Sequence, residues 1–393
     1  MRLGYVPAGT ARRAAQRRYR GAERGAARGR VTVVQVLLNL GHGGMETMAV
    51  SLARGLDPQR FRSVIVALDA GGEHEEALRQ SGIESYVLGG RRFWSPAFHW
   101  EFAALLRKLD AAVVHTHHFS PLLHSVLAIR LARVPRVVHT EHSYQYLEPR
   151  GDYRRMLRWM GAATDAFVLV AQSMQAFYRD RVRVGSGRLR VIPNGIDTDI
   201  YKPSTEGVAQ KRQRWGVPPD AYLVGTAGRF FPEKDYATLI RGFRTFAASH
   251  PKAHLAMIGD GPERPSLEAL AGERVHFLGW RTDLKEILPA LDVFALSSKS
   301  EGLPLVALEA LACGIPVVAT PVGDLPEVVA NGAAGVLFSV GDAAALARAL
   351  SLLADGARRA ALGRAGRERV LHRYSQTAMV DGYTRAYDGL EVA

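Results

Sequence analysis

The chain has 393 residues, 47% of them hydrophobic, with 51 Lys+Arg against 38 Asp+Glu and one cysteine. That length suits two folded domains and that apolar share excludes a largely disordered chain, while a lone Cys313 excludes a disulfide framework. The +13 charge invites a nucleic-acid reading, but residues 1–30 are net +8, residues 31–197 net +5 and residues 198–393 neutral. Most of the basic character therefore sits in an Arg-rich tail with no apolar periodicity. Residues 1–30 read as a disordered basic extension, lacking the Ser of a transit peptide and the apolar core of a signal peptide, and nucleic acid is not an expected partner.

From residue 31, short β-branched runs alternate with amphipathic stretches. Strands are predicted over 31–38, 63–68, 85–88, 112–115, 136–140, 166–170 and 190–192, with helices between them, among them 47–55, 96–109 and 172–182. A turn-rich break, Pro193-Asn194-Gly195-Ile196-Asp197, leads into a polar stretch. The alternation then restarts, with strands predicted over 222–227, 254–258, 275–278, 293–296, 316–319 and 335–338, and the last fifty residues read as helical. Residues 303–322 are nearly all apolar, but Glu309 and three prolines (Pro304, Pro316, Pro321) divide them into a helix and a buried strand, so no transmembrane helix is expected. The economical reading is α/β, with two doubly wound parallel sheets whose ligands lie in a cleft at the strands' carboxyl ends.

Three segments carry chemistry. Gly41-His42-Gly43-Gly44-Met45-Glu46 joins the first strand to the first helix, where glycines and free helix N–H groups suit an anion; its spacing is not that of a dinucleotide fingerprint. Arg229 and Lys234 straddle the first strand-to-helix turn of the second half, cations suited to a diphosphate leaving group. Glu301 stands in a loop at the cleft mouth, ahead of a helix that Pro304 opens, which places the Leu303 and Leu305 amides at a helix N-terminus. Glu309 lies on that helix among apolar residues, where a carboxylate needs partners such as ribose hydroxyls.

Histidines cluster in the first half: His115, His117 and His118 end one predicted strand, and His139, Glu141 and His142 end the next. His and Glu are proper zinc ligands, yet no H-E-x-x-H accompanies them, and no metal is expected. Some read as satisfied interior histidines, with His117 the functional residue at the sheet edge.

Gly43-Gly44-Met45-Glu46, His115-Thr116-His117, Pro193 to Asp197, Arg229 to Lys234, Gly259-Asp260-Gly261-Pro262 and Glu301 to Glu309 together resemble the retaining family 4 glycosyltransferases, over about residues 31–390. The resemblance implies the GT-B fold: an acceptor-side Rossmann-like domain over 31–200, a nucleotide-sugar domain over 201–373, and a helix over 374–393 crossing back to the first domain. It implies that Glu309 binds ribose, that Glu301 holds sugar hydroxyls with the backbone of Gly302, Leu303, Pro304 and Leu305, and that Arg229 and Lys234 clamp the diphosphate. It further implies that Gly43 and Gly44 close on the donor and that His117 stands beside the reacting sugar, with His139, Glu141 and His142 on the acceptor side. It implies a UDP- or GDP-sugar as co-substrate, no cofactor and no metal, and retention of anomeric configuration.

The acceptor side carries the residual +5. Arg150, Arg154, Arg155 and Arg158 interleave with Tyr153, Met156, Leu157, Trp159 and Met160, and Arg91-Arg92-Phe93-Trp94 is a second such cluster. Both suit an anionic membrane surface or a lipid-linked acceptor, and solvated half-buried helix faces account for them equally well. A cytoplasmic enzyme, peripheral on the inner face of the plasma membrane and acting on a glycan or lipid-linked precursor, is the expectation. A sugar-nucleotide epimerase, a transferase acting on a small natural product and a silent nucleotide-sugar-binding scaffold are the alternatives.

Overall fold

The computed structural model describes residues 29–41, 43–89 and 93–389. Residues 1–28 of the Arg-rich tail, His42, Arg91 and Arg92 lie outside the described residues. The chain divides into two compact units: one runs to Pro193 and resumes at Met379, the other is Asn194–Ala378.

The first unit is built on β1 (Val31–Asn39), β2 (Phe61–Ala70), β3 (Glu84–Val87), β4 (Val113–His117), β5 (Arg136–Glu141), β6 (Ala166–Leu169) and β7 (Leu189–Val191). All pair in parallel in the order β3-β2-β1-β4-β5-β6-β7. Helices cover both faces, so the central strands are apolar on both sides. One face buries Val33, Val113, Val138 and Val168 with Met379, Val380, Tyr383 and Tyr387 of the C-terminal helix Gln376–Asp388; the other buries Val34, Val36 and Val64 beneath Phe98 and Phe102.

The second unit repeats the plan with β8 (Tyr222–Ala227), β9 (Ala253–Ile258), β10 (Val275–Gly279), β11 (Val293–Leu296), β12 (Val317–Ala319) and β13 (Gly335–Leu337), ordered β10-β9-β8-β11-β12-β13 and parallel throughout. Its core joins Val224, Leu255 and Val293 to Phe243, Phe246 and Leu350.

All thirteen predicted strands are present. The helix expected over 172–182 is instead a 3-10 turn, Gln172–Met174, and a π-helical turn, Phe177–Val182, closed by left-handed Arg183. The apolar run divides at its prolines into the helix Leu305–Ala312 and β12, with Pro304 just ahead of the helix as its N-cap. Among the described residues no helix is long and apolar enough to cross a membrane.

Candidate functional site

In the second unit, β8 ends at Ala227 and the chain passes through Gly228, exposed Arg229 and buried Phe230 before the helix Tyr236–Ser249. The Gly259 to Gly261 turn packs directly on this loop: a Cβ at Gly259 would lie 2.0 Å from the Gly228 carbonyl oxygen. The Arg229 guanidinium lies over the Phe231 ring, 5.0 Å from its centroid.

Lys234 reaches across to the loop after β11. Its Nζ donates to Glu301 Oε1 at 2.6 Å, and Ser298 Oγ donates to the same oxygen at 2.7 Å. Ser297 Oγ donates to the Lys234 and Asp235 carbonyls, both at 2.9 Å, and Thr320 Oγ1 donates to the Ser298 carbonyl at 2.6 Å. Two residues that the sequence assigned to different parts of a ligand thus form one half-buried ion pair, braced by hydroxyls of two strand ends. A pair so placed keeps a cation and a carboxylate oriented at little entropic cost when a polar ligand arrives.

One turn into the helix Leu305–Ala312, Glu309 is 6% exposed. Tyr201 donates a hydrogen bond to its carboxylate, yet Oε2 is buried without a partner. Burial outweighs the tyrosine and pushes the Glu309 carboxyl up to about 7. Nearby, Asn194 Nδ2 donates to the Leu303 carbonyl at 3.2 Å and leaves its own Oδ1 buried and unpaired. Asn194 therefore fixes the segment Gly302, Leu303, Pro304, Leu305 that leads into the helix. The sequence showed it only as part of a turn.

In the first unit, Gly43 is the extended N-cap of the helix Gly44–Gly55. A Cβ there would lie 2.1 Å from Glu46 Oε2, because Glu46, at the third helical position, folds back over the helix start in the manner of a capping box. The glycine gives room to a carboxylate of its own helix. Gly-x-x-Glu spacing is the sequence mark of such a helix start, and it stands beside the ligand role that the resemblance implies for Gly43 and Gly44.

The histidine cluster is divided by the sheet. Register pairs Gln35 with His115, and His117 with Thr140, so these four side chains share one face; Thr116 pairs with His139 and shares the other with Glu141. On the first face, His115 Nδ1 meets Tyr387 Oη at 2.8 Å and its Nε2 meets Thr140 Oγ1 at 2.7 Å, while His117 Nε2 meets Gln35 Oε1 at 3.0 Å. His117 Nδ1 looks toward half-buried His142, 3.4 Å away. Burial, reinforced by neighbouring imidazoles, holds His115, His117 and His142 well below the usual histidine range, so all three are neutral at pH 7. On the second face, Thr116 Oγ1 meets His139 Nδ1 at 2.8 Å, His139 Nε2 meets Glu141 Oε1 at 3.2 Å, and the Tyr146 hydroxyl donates to both Glu141 oxygens. The His139 and Glu141 side chains are 0% exposed.

Of the two basic–aromatic clusters, Arg91 and Arg92 lie outside the described residues. The helix Gly151–Gly161 presents Arg155, Met156, Arg158 and Trp159 to solvent, whereas Arg154 is turned onto the Leu147 carbonyl at 2.6 Å.

Residues 42–200 match the family model for Glycosyltransferase Family 4, and residues 208–369 the model for Glycosyl transferases group 1. The chain is 37% identical over 201 residues to the lipopolysaccharide core biosynthesis glycosyltransferase LpsE of Rhizobium meliloti, a stretch spanning 50% of this chain and 56% of LpsE. It is 32% identical over 296 residues to the alpha-maltose-1-phosphate synthase of Mycolicibacterium smegmatis (67% and 76%). It is 27% identical over 264 residues to the UDP-Gal:alpha-D-GlcNAc-diphosphoundecaprenol alpha-1,3-galactosyltransferase of Escherichia coli (64% and 68%). Among solved structures, Anabaena HepE in complex with UDP and glucose has a TM-score of 0.81 at 22% identity, covering 92% of this chain and 100% of HepE. WaaG, a glycosyltransferase involved in lipopolysaccharide biosynthesis, has a TM-score of 0.70 at 17% identity, covering 90% and 98%. At these identities the structural likeness establishes the fold, which is GT-B.

Proposed function

The chain belongs to the family 4 (group 1) glycosyltransferases, and from that premise we propose that it moves a sugar from a UDP- or GDP-sugar to a hydroxyl of a glycan or lipid-linked acceptor, with retention of anomeric configuration. The observation that carries this reading is the carboxyl of Glu309. A buried carboxylate with one oxygen unpaired is costly on its own, and a vicinal diol supplies the two donors that relieve it. A nucleotide ribose presents such a diol.

The neighbouring groups suit the rest of a nucleotide sugar. Lys234 and Arg229 offer positive charge to a diphosphate. Glu301, oriented by Lys234 and Ser298, offers its carboxylate to sugar hydroxyls, with backbone from Gly302, Leu303, Pro304 and Leu305. In the reaction the acceptor oxygen bonds to the anomeric carbon on the face the diphosphate leaves, the C1–O bond to the diphosphate breaks, and the departing phosphate oxygen takes the acceptor's proton. Cationic side chains and the amides ahead of the helix Leu305–Ala312 stabilise the growing phosphate charge, and this route needs no metal. In the first unit, Gly43 and Gly44 belong to the donor side and His117 to the reacting sugar, with His142 toward the acceptor. The relatives named for UDP-galactose transfer to a diphosphoundecaprenol and for lipopolysaccharide core synthesis support a lipid-linked or polysaccharide acceptor.

The test is a thermal-stability screen of UDP- and GDP-sugars, since a ligand that binds only the folded state raises the melting temperature by mass action. One nucleotide series should stabilise the wild type, and Glu309→Ala should abolish the shift. An undiminished shift in that variant overturns the ribose assignment. Products formed from the stabilising donor with and without acceptor then separate transfer from epimerisation.

A further inference from the structure

The C-terminal helix Gln376–Asp388 does more than fill the first unit's core. Tyr383 and Tyr387, four residues apart on one helical face, are both fully buried against aliphatic side chains. A phenylalanine at either position fills the same space without burying a hydroxyl, so the hydroxyls call for polar partners. Those partners are the residues beneath His117. Tyr387 Oη lies 2.8 Å from His115 Nδ1, and Tyr383 Oη lies 3.1 Å from Thr140 Oγ1, which itself lies 2.7 Å from His115 Nε2. The phenol is the stronger acid of the two hydroxyls, which favours the arrangement in which Tyr387 donates to Nδ1 and His115 Nε2–H donates to Thr140. A hydroxyl at each ring nitrogen fixes the orientation of the His115 ring, and this arrangement gives it one tautomer.

His117 packs against that ring at a tilt, with centroids 4.0 Å and planes 41° apart, and on its other edge Gln35 Oε1 accepts from Nε2–H at 3.0 Å. Gln35 is fully buried, with nothing else in reach of its amide nitrogen. We propose that Tyr387, acting through His115, and Gln35, acting directly, are positioning residues that hold the His117 imidazole in one place and one tautomer. The proposal rests on the transferase reading for its catalytic consequence, but its structural content does not.

The experiment uses the full chain carrying Tyr387→Phe, with Thr140→Val as a second variant that removes the other clamp on His115 while keeping a β-branched side chain in the strand. Imidazole nitrogen chemical shifts of His115 and His117 are recorded by NMR, and kcat and KM are measured with the donor and acceptor found by screening. Both sets of resonances should move in each variant. kcat should fall by at least about tenfold, since small misplacements of a reacting group are expensive, with the donor KM nearly unchanged. Gln35→Glu, which keeps the acceptor oxygen, should retain more of the His117 signature than Gln35→Leu. His117 resonances identical to the wild type in both clamp variants overturn the proposal whether or not transfer is found. Shifted resonances with kcat unchanged overturn its catalytic part. If the wild type transfers no sugar, the transferase reading fails separately, and the resonances still decide the positioning.

Discussion

At the scale of a single residue, Glu309 carries two predictions with a sign. Its carboxyl is pushed up from 4.5 to about 7 by burial. Between those values the folded protein holds a proton that the unfolded chain has released, so stability falls as pH rises through that window. Above pH 7 the full penalty of about 3 kcal/mol is present, and below about pH 4.5 it vanishes. Glu309→Gln removes the titrating group, so its urea midpoint should exceed that of the wild type at pH 8, and the gap should close toward pH 5. Parallel measurements at the two pH values check this, and a constant gap contradicts it. Nucleotide binding reverses the argument. Donors arriving at Oε2 favour the charged form and expel the proton, so binding at pH 7 should release a fraction of one proton per site. Calorimetry in two buffers of different ionisation enthalpy reads that release, which should be absent in Glu309→Gln.

At the scale of elements, close backbone approaches hold the loops in place. Gly323 follows β12 at φ +56°, and a Cβ there would lie 2.2 Å from the Gly302 carbonyl oxygen and 2.6 Å from that of Glu301. Gly323→Ala must therefore strain its own backbone and push the Glu301 loop away. A loss of about 1–3 kcal/mol in stability together with weakened donor binding is expected. Gly272→Ala, with nothing within 4 Å of the added methyl, is the control and should leave both unchanged. Denaturation and donor titration of the two variants make the comparison. This scale also marks what the sequence could show. Strands were legible because parallel strands buried on both faces are short β-branched runs between helices, and Glu309 stood out as a charge in an apolar helix. The histidines were legible as alternating pairs, but which pair shares a face with which depends on inter-strand register, and period-2 alternation within each strand leaves that open. The Lys234–Glu301 pair was hidden for a related reason: sixty-seven positions separate its members, and only the adjacency of β8 and β11 in the sheet joins them.

At the scale of the molecule, the charge has to be assigned to a surface. The described residues place tryptophans outward on the first unit: Trp94 is 73% exposed, Trp100 57% and Trp159 82%. Trp94 and Trp100 edge an apolar groove of about 450 Å³, with Pro96, Leu127 and Leu131 in its lining, between the helices Pro96–Lys108 and Phe119–Ala132. The helix Gly151–Gly161, bearing Trp159, Arg155 and Arg158, packs against Phe119–Ala132. Aromatic side chains with guanidinium groups beside them suit the headgroup region of an anionic bilayer, where each Arg contributes about 1 kcal/mol. Solvated helix faces explain the arginines equally well but leave three large indoles in water. The prediction is that the protein co-sediments with phosphatidylglycerol vesicles at low salt and that binding weakens as salt screens the arginines. The double substitution Arg155→Ala, Arg158→Ala should lower the partition coefficient about 30-fold, at about 1 kcal/mol per charge. Trp94→Ala and Trp159→Ala should weaken the binding that remains at high salt. Deleting residues 1–30 separates the two sources of basic charge. If the folded unit docks, the shortened chain keeps its dependence on Trp94, Trp159 and the two arginines. If binding vanishes with the deletion and the tryptophan variants bind like the wild type, the tail alone was responsible and the docking face is wrong.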